Sequence, residues 1–314
     1  MTLIGKNLGD YRILAATRLG ESGVVYKALH IRQRKTLALK ILRPLDEGNP
    51  LHLQFQDDIL RAAELNHPQI GRVFAIESLP TFTIVPMEFV YGQSLSERIA
   101  SGPSPFDFVL RIALQAADAL IFAHEVGVVH RRITSNTLLV SSDGHLKILD
   151  FGLTRLPEDL EQSETEAGSP LFSYQEPRRP PLSEISYLSP EQVRSADSDA
   201  RSDLFSLGLI LYELLLGEFL FLGDDPEECC RQILARDLPR LNKVRADASH
   251  SWTQVLSGLL EKEPTERYPT ARELMSDLHL LKEGFLVERP GFRSKNFPIT
   301  RRSFFRHFIG EKEA

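Results

Sequence analysis

Hydrophobic and polar positions change rhythm once along this chain. Over residues 1–89 the pattern is short and strand-like, with "YRILAATRLG" and "GVVYKALHIR" rich in strand formers and separated by a glycine-containing turn. Alternation in "TLALKIL" puts Ala38 and Lys40 on one face of a third strand. "LHLQFQDDILRAAEL" then carries apolar residues at helical spacing and stops at "NHP". Two more strands, "GRVFAIES" and "TFTIVPMEFV", are predicted on either side of a turn at "LP". From "SLSERIA" onward the period is helical. The long amphipathic run "FDFVLRIALQAADALIFAHEVG" is closed by Gly127, and the short strands "TLLVSS" and "HLKIL" flank a "DG" turn. A polar, proline-rich stretch from Leu156 to about Ser186 follows, and helices continue to Gly284. The pattern predicts an α+β chain: a small β-rich unit with one main helix, then a larger, mostly helical part.

A chain of 314 residues, 42% hydrophobic and 25% charged, has the make-up of a globular protein with a sizeable core. Its net charge of −6 counts against nucleic acid as the main partner. Cys229 and Cys230 are adjacent, where a mutual bridge is strained, so the expected state is reduced and the expected location cytoplasmic. The first residues lack the apolar core of a signal peptide. The apolar run at 204–223 contains Ser206, Glu213 and Glu218, which favours a buried helix over a membrane span. Beyond residue 284 the tail 285–314 interleaves cations with Phe304, Phe305 and Phe308. Packing against the parent domain is the default expectation for it, with membrane contact as the alternative.

Several short motifs are weak singly and gain meaning from their order: "LALK", "HP" at 67–68, "HRR" at 130–132, "DFG" at 150–152, "SPE" at 189–191, "DLFSLG" at 203–208, and Arg267 in "ERYPTA". In that order and spacing the chain resembles the protein kinase family, and most closely the bacterial serine/threonine kinases. The resemblance covers about residues 11 to 284. It implies a bilobal fold, with an antiparallel N-lobe over residues 1–89 and a mostly helical C-lobe over 90–284. It also implies ATP as the ligand. Gly20, Gly23, Val25, Ala38, Lys40, Met87, Glu88, Phe89, Leu139 and Asp150 fall at its nucleotide-binding positions. Lys40 would neutralise phosphates and Asp150 would hold Mg²⁺ against them. Asp58 falls where a helix glutamate would hold the lysine, with a shorter reach. His130, Arg131, Asp203 and the pair Glu191–Arg267 match structural positions of the family.

Chemistry-bearing positions depart from that pattern. Arg18 replaces the first glycine of the phosphate loop, which obstructs close backbone approach. In "VVHRRITSNTLLV", Arg132 occupies the proton-acceptor position, Thr134 the γ-phosphate lysine and Thr137 the metal asparagine. Glu184 stands where a threonine would help organise the catalytic loop. An arginine offers five N–H donors and no acceptor. The expectation is a pseudokinase that binds a nucleotide and a signalling protein, another kinase for example, with Mg²⁺ binding in doubt. The alternatives are a weakly active serine/threonine kinase and a kinase-fold nucleotidyl transferase. Two arrangements of Arg132 are open: a fork to the γ-phosphate, or a pair with Asp150 that excludes metal. Ser163, Thr165, Ser169 and Ser173 are candidate phosphorylation sites, with Arg131 as a phosphate partner, and "EPRRPPLSE" could suit a proline-recognition module.

Overall fold

A computed structural model of the chain describes residues 3–17, 25–79, 81–153, 182–194, 198–221, 225–236 and 240–288. Gly20, Gly23, Arg18, the candidate phosphorylation sites, "EPRRPPLSE" up to Pro181 and the aromatic tail lie outside these residues.

The first lobe is a six-stranded antiparallel sheet. Its strands are β1 (Asn7–Leu8), β2 (Tyr11–Thr17), β3 (Val25–His30), β4 (Lys35–Leu42), β5 (Glu77–Ser78) and β6 (Thr83–Glu88), in the order β1-β2-β3-β4-β6-β5. Alternation along β4 divides the apolar residues between two faces. Tyr11, Ile13, Tyr26, Ala28, Leu37, Leu39, Ile41 and Ile84 form a small cluster on one side. On the other, the register places Val25 opposite Lys40, and Ala38 opposite Met87. That face joins the main core together with Phe55, Ile59 and Ala62 of helix α1 (Pro50–Ala63). Asn49 caps α1 by accepting from the Leu51 amide at 3.0 Å.

One predicted strand is shorter than its pattern suggested. Only Glu77–Ser78 of "GRVFAIES" pairs as a strand, with Val73 in an isolated bridge to Met87. Phe74 N–H donates to the Pro86 carbonyl at 2.8 Å, but Pro86 has no N–H to return the bond, so a regular ladder cannot form there.

The second lobe is helical. β7 (Gln93–Ser94), β8 (Leu138–Val140) and β9 (Leu146–Ile148) make a small sheet. Around it lie α2 (Leu95–Ala100), α3 (Phe106–Glu125), α4 (Leu182–Ile185), α5 (Pro190–Val193) and α6 (Ala200–Leu216). They are followed by α7 (Pro226–Ala235), α8 (Leu241–Val244), α9 (His250–Leu259) and α10 (Ala271–Lys282). A capping box at Ser94–Glu97 starts α2. Helix α6 is buried on every side from Ser202 to Leu215, as its nearly continuous apolar composition requires. No helix among the described residues is long and apolar enough to cross a membrane.

Candidate functional site

The site lies where β4, α1 and the two loops around β8 and β9 converge. The loop at 130–137 is held from below by α6. Asp203 is fully buried, and its carboxylate accepts from the His130 amide at 2.9 Å and the Arg131 amide at 2.7 Å. It also lies 2.8 Å from His124 Nε2. Arg131 takes a left-handed φ of 67°, a conformation that costs a non-glycine residue about 1–3 kcal/mol unless its surroundings enforce it. The paired Asp203 contacts supply that enforcement. The Arg131 carbonyl accepts from Gln192 Nε2 at 2.6 Å, which ties the loop to α5.

His130 bridges this loop to the following one. Its Nε2 donates to the Leu149 carbonyl at 2.7 Å, and its Nδ1 accepts from the Arg132 amide at 3.3 Å. Those roles fix the neutral tautomer. Burial lowers the pKa of His130, only partly offset by the charge of Asp203. Its ring meets Phe151 edge-on at 4.6 Å between centroids, so "DFG" and "HRR" pack as one unit.

Asp150 adopts φ 67° and is followed by Phe151 and Gly152, the latter at φ 79°. A Cβ on Gly152 would lie 2.7 Å from Ala62 Cβ and 2.8 Å from the Asp58 carbonyl oxygen, so only glycine lets α1 sit this close. Burial raises the pKa of the Asp150 carboxyl, and Lys40, His130 and Arg132 oppose that rise. Lys40 is 3% exposed. The structure thus brings Lys40 and Asp150 within electrostatic reach of one another, with Val25 opposite Lys40 in the register and Ala38 two residues before it on the same strand face, while Leu139 is buried on β8.

Residues 87–91 form the strap between the lobes. The Glu88 carboxylate accepts from Lys147 Nζ at 2.9 Å, and Phe89 packs edge-on against Tyr91 at 4.8 Å. Lys27 Nζ lies 4.8 Å from the Phe89 ring centroid and 5.0 Å from that of Tyr91. The side chains of Glu88 and Phe89 therefore hold the strap to β9 and β3.

Arg132 does not pair with Asp150 among the described residues. Its Nη1 lies 3.0 Å from Glu184 Oε2, in an ion pair that joins the 130–137 loop to α4. Thr134 and Thr137 are closed on each other. Thr137 Oγ1 accepts from the Thr134 amide and donates to the Thr134 carbonyl, both at 3.0 Å, while Thr134 Oγ1 accepts from the amides of Asn136 and Thr137. Their hydroxyls reinforce a turn that the backbone closes through the Thr137 amide and the Thr134 carbonyl at 3.2 Å.

As a metal site this donor set is poor. The Thr137 hydroxyl is already engaged, and the half-buried Asp150 carboxyl lies under the influence of the cations Lys40 and Arg132. Among the described residues no cluster of three or more His, Cys, Asp or Glu side chains could hold a metal ion. As a phosphate site it is better, since Lys40 and Arg132 both bring positive charge to the surroundings of Asp150. The pairing of Arg132 with Glu184 is the feature that sequence reasoning missed, although both residues had been marked as departures.

Further away, Glu191 and Arg267 form a bidentate pair with both contacts at 2.7 Å, and Ser202 Oγ donates to Glu191 Oε1 at 2.7 Å. Burial raises the Glu191 pKa, but the hydrogen bonds from Arg267 and Ser202 outweigh it and the net shift is downward. This pair clamps α5 to the turn before α10.

Comparison with known proteins agrees with this architecture. The protein kinase domain model matches residues 17–280. The serine/threonine-protein kinase PknB of Mycolicibacterium smegmatis is 32% identical over 292 residues, covering 91% of this chain and 45% of that protein. PrkC of Bacillus subtilis is 28% identical over 322 residues, covering 99% of this chain and 48% of that protein. The chain spans about half the length of the curated relatives it matches. The crystal structure of a cysteine-to-alanine mutant of the Mycobacterium tuberculosis PknI kinase domain shares the fold with a TM-score of 0.65 at 23% identity, over 88% of this chain and 96% of that one. With its two-lobed architecture and a family match that runs through both lobes, the chain belongs to the protein kinase family.

Proposed function

We propose that this chain is a pseudokinase: a kinase-fold module that binds a nucleotide and a signalling protein without ordinary phosphoryl transfer. One observation carries the reading. The position at which a kinase holds its proton acceptor is filled by Arg132, whose guanidinium is ion-paired to Glu184. General-base assistance contributes about 10²–10⁴-fold, or about 3 to 5.5 kcal/mol of barrier. Thr134 and Thr137 remove two further contacts from the same loop, and losses within one catalytic unit do not add. The fold's own supports, Asp203 and Glu191–Arg267, stay engaged. That contrast suits a scaffold selected for shape. A reduced, cytoplasmic setting and a protein partner for the α4–α5 region belong to this reading.

A weakly active serine/threonine kinase is the second reading, favoured by the shared surroundings of Lys40 and Asp150. A transfer assay with γ-radiolabelled ATP and a generic protein acceptor separates the two, with Asp150→Asn as the control. The pseudokinase reading expects no label above the control. Label that disappears in Asp150→Asn establishes the second reading instead.

A further inference from the structure

The family resemblance assigns a carboxylate, a lysine and a threonine to positions 132, 134 and 184. This chain has Arg132, Thr134 and Glu184 there. The net charge of the trio is unchanged, while its cation and its anion have moved to different positions. In the fold the new cation and the new anion are 3.0 Å apart.

The two partners are not equally placed. The Glu184 side chain is 6% exposed and that of Arg132 is 32% exposed, so the carboxylate lies beneath and the guanidinium above it. Among the described residues Glu184 is the polar partner of the Arg132 side chain, through Nη1. Among the described residues no further contact engages Nε or Nη2, on a planar group whose geometry matches phosphate oxygens. The charge of Arg132 reaches Asp150, as does that of Lys40. A divalent metal on Asp150 would have to enter between cations.

We infer that Arg132, held by Glu184, receives the terminal phosphate of a bound nucleoside triphosphate and makes its binding independent of metal. This rests on the nucleotide-binding reading above. Arg132 supplies a charge-assisted fork in the place of the metal. Glu184 is a positioning residue: it fixes the guanidinium away from Asp150, which would otherwise compete for it.

Calorimetric titration of the whole chain with ATP and with ADP, in EDTA and then in Mg²⁺, tests the inference. The expected result in EDTA is ATP binding on the order of tenfold tighter than ADP, the step that one charge-assisted contact supplies. Added Mg²⁺ leaves that affinity unchanged. Arg132→Leu brings ATP down to the affinity of ADP. Arg132→Lys, which keeps the charge without the fork, falls between, and Glu184→Gln narrows the preference. A melting curve for each variant shows that it is folded, and Arg132→Gln stands in if the leucine variant is not. Equal affinity for ATP and ADP in EDTA, or a preference that survives Arg132→Leu, overturns the inference and leaves the nucleotide reading standing. Failure of both nucleotides to bind overturns the nucleotide reading itself, and this inference with it.

Discussion

Two arginine–glutamate pairs illustrate how burial decides what the same chemistry does. Arg267 is fully buried, and all its N–H groups are engaged, by the Glu191 carboxylate and by the carbonyls of Arg201, Glu261 and Lys262. Its guanidinium also stacks 4.8 Å from the Phe205 ring centroid. Removing one partner of such a pair strands the other charge in the core, at about 3–5 kcal/mol. Glu191→Ala should therefore lower stability by that amount in urea titrations, whereas Glu184→Gln, which leaves behind only the third-exposed guanidinium of Arg132, should change it by less than about 1 kcal/mol. Comparable losses in the two variants would mean that the Arg132–Glu184 pair is structural after all. The buried pair was legible from motif order, because both its residues sit in locally patterned sequence. The partner of Arg132 was not, because the chain from 154 to 181 intervenes and only tertiary packing, with α4 against α7, brings Glu184 back to the loop.

Among the elements, length decided what could be read in advance. The strands at Tyr11–Thr17, Val25–His30 and Lys35–Leu42 and the helices at Pro50–Ala63 and Phe106–Glu125 are long enough to show a period. The two-residue strands β1, β5 and β7 and the four-residue helices α4, α5 and α8 are not, and their existence depends on partners elsewhere in the fold. Helix α6 announces its burial by composition, but composition does not say how closely its neighbours approach. Gly208 does: a Cβ there would lie 2.6 Å from Leu259 Cβ, with Leu260 Cδ2 at 3.2 Å. In an exposed helix Gly→Ala gains about 1 kcal/mol. At Gly208 the added methyl must push α9 off α6, so Gly208→Ala should instead destabilise by about 1–3 kcal/mol, read as a lower denaturation midpoint. A gain in stability would show that the α6–α9 contact is looser than this geometry implies.

At the scale of the molecule, α6 is the hub on which the loops converge, and its two buried carboxylates have different fates. Asp203 accepts two backbone amides with His124 beside it. Glu213 accepts from the Tyr187 hydroxyl at 2.6 Å and the Leu220 amide at 2.9 Å, and Tyr187 also reaches Ser135 in the 130–137 loop. Burial pushes the Glu213 carboxyl up to about 7, against the pull of the Tyr187 and Leu220 hydrogen bonds. The folded state therefore keeps a proton that the unfolded chain releases near 4.5. The stability this contributes is complete below that value and is lost as pH rises through about 7. His130 acts in the opposite sense, since its pKa is lowered and its contribution is lost as pH falls below the ordinary 6.5. The two slopes oppose each other in the native protein and hide one another in a single pH profile. Glu213→Gln separates them. The glutamine keeps an acceptor for Tyr187 and cannot ionise, so the stability of the variant relative to the native chain should rise with pH, by up to about 1.4 kcal/mol per unit. The rise should level off above about 7, where Glu213 is ionised in both states. Paired melting curves from about pH 5 to about pH 8 read the difference directly. A difference that does not vary with pH would place an ionised Glu213 in the core throughout, and the Tyr187–Glu213 contact would then be a charge-assisted tie that links α6, through Tyr187, to Ser135 of the 130–137 loop.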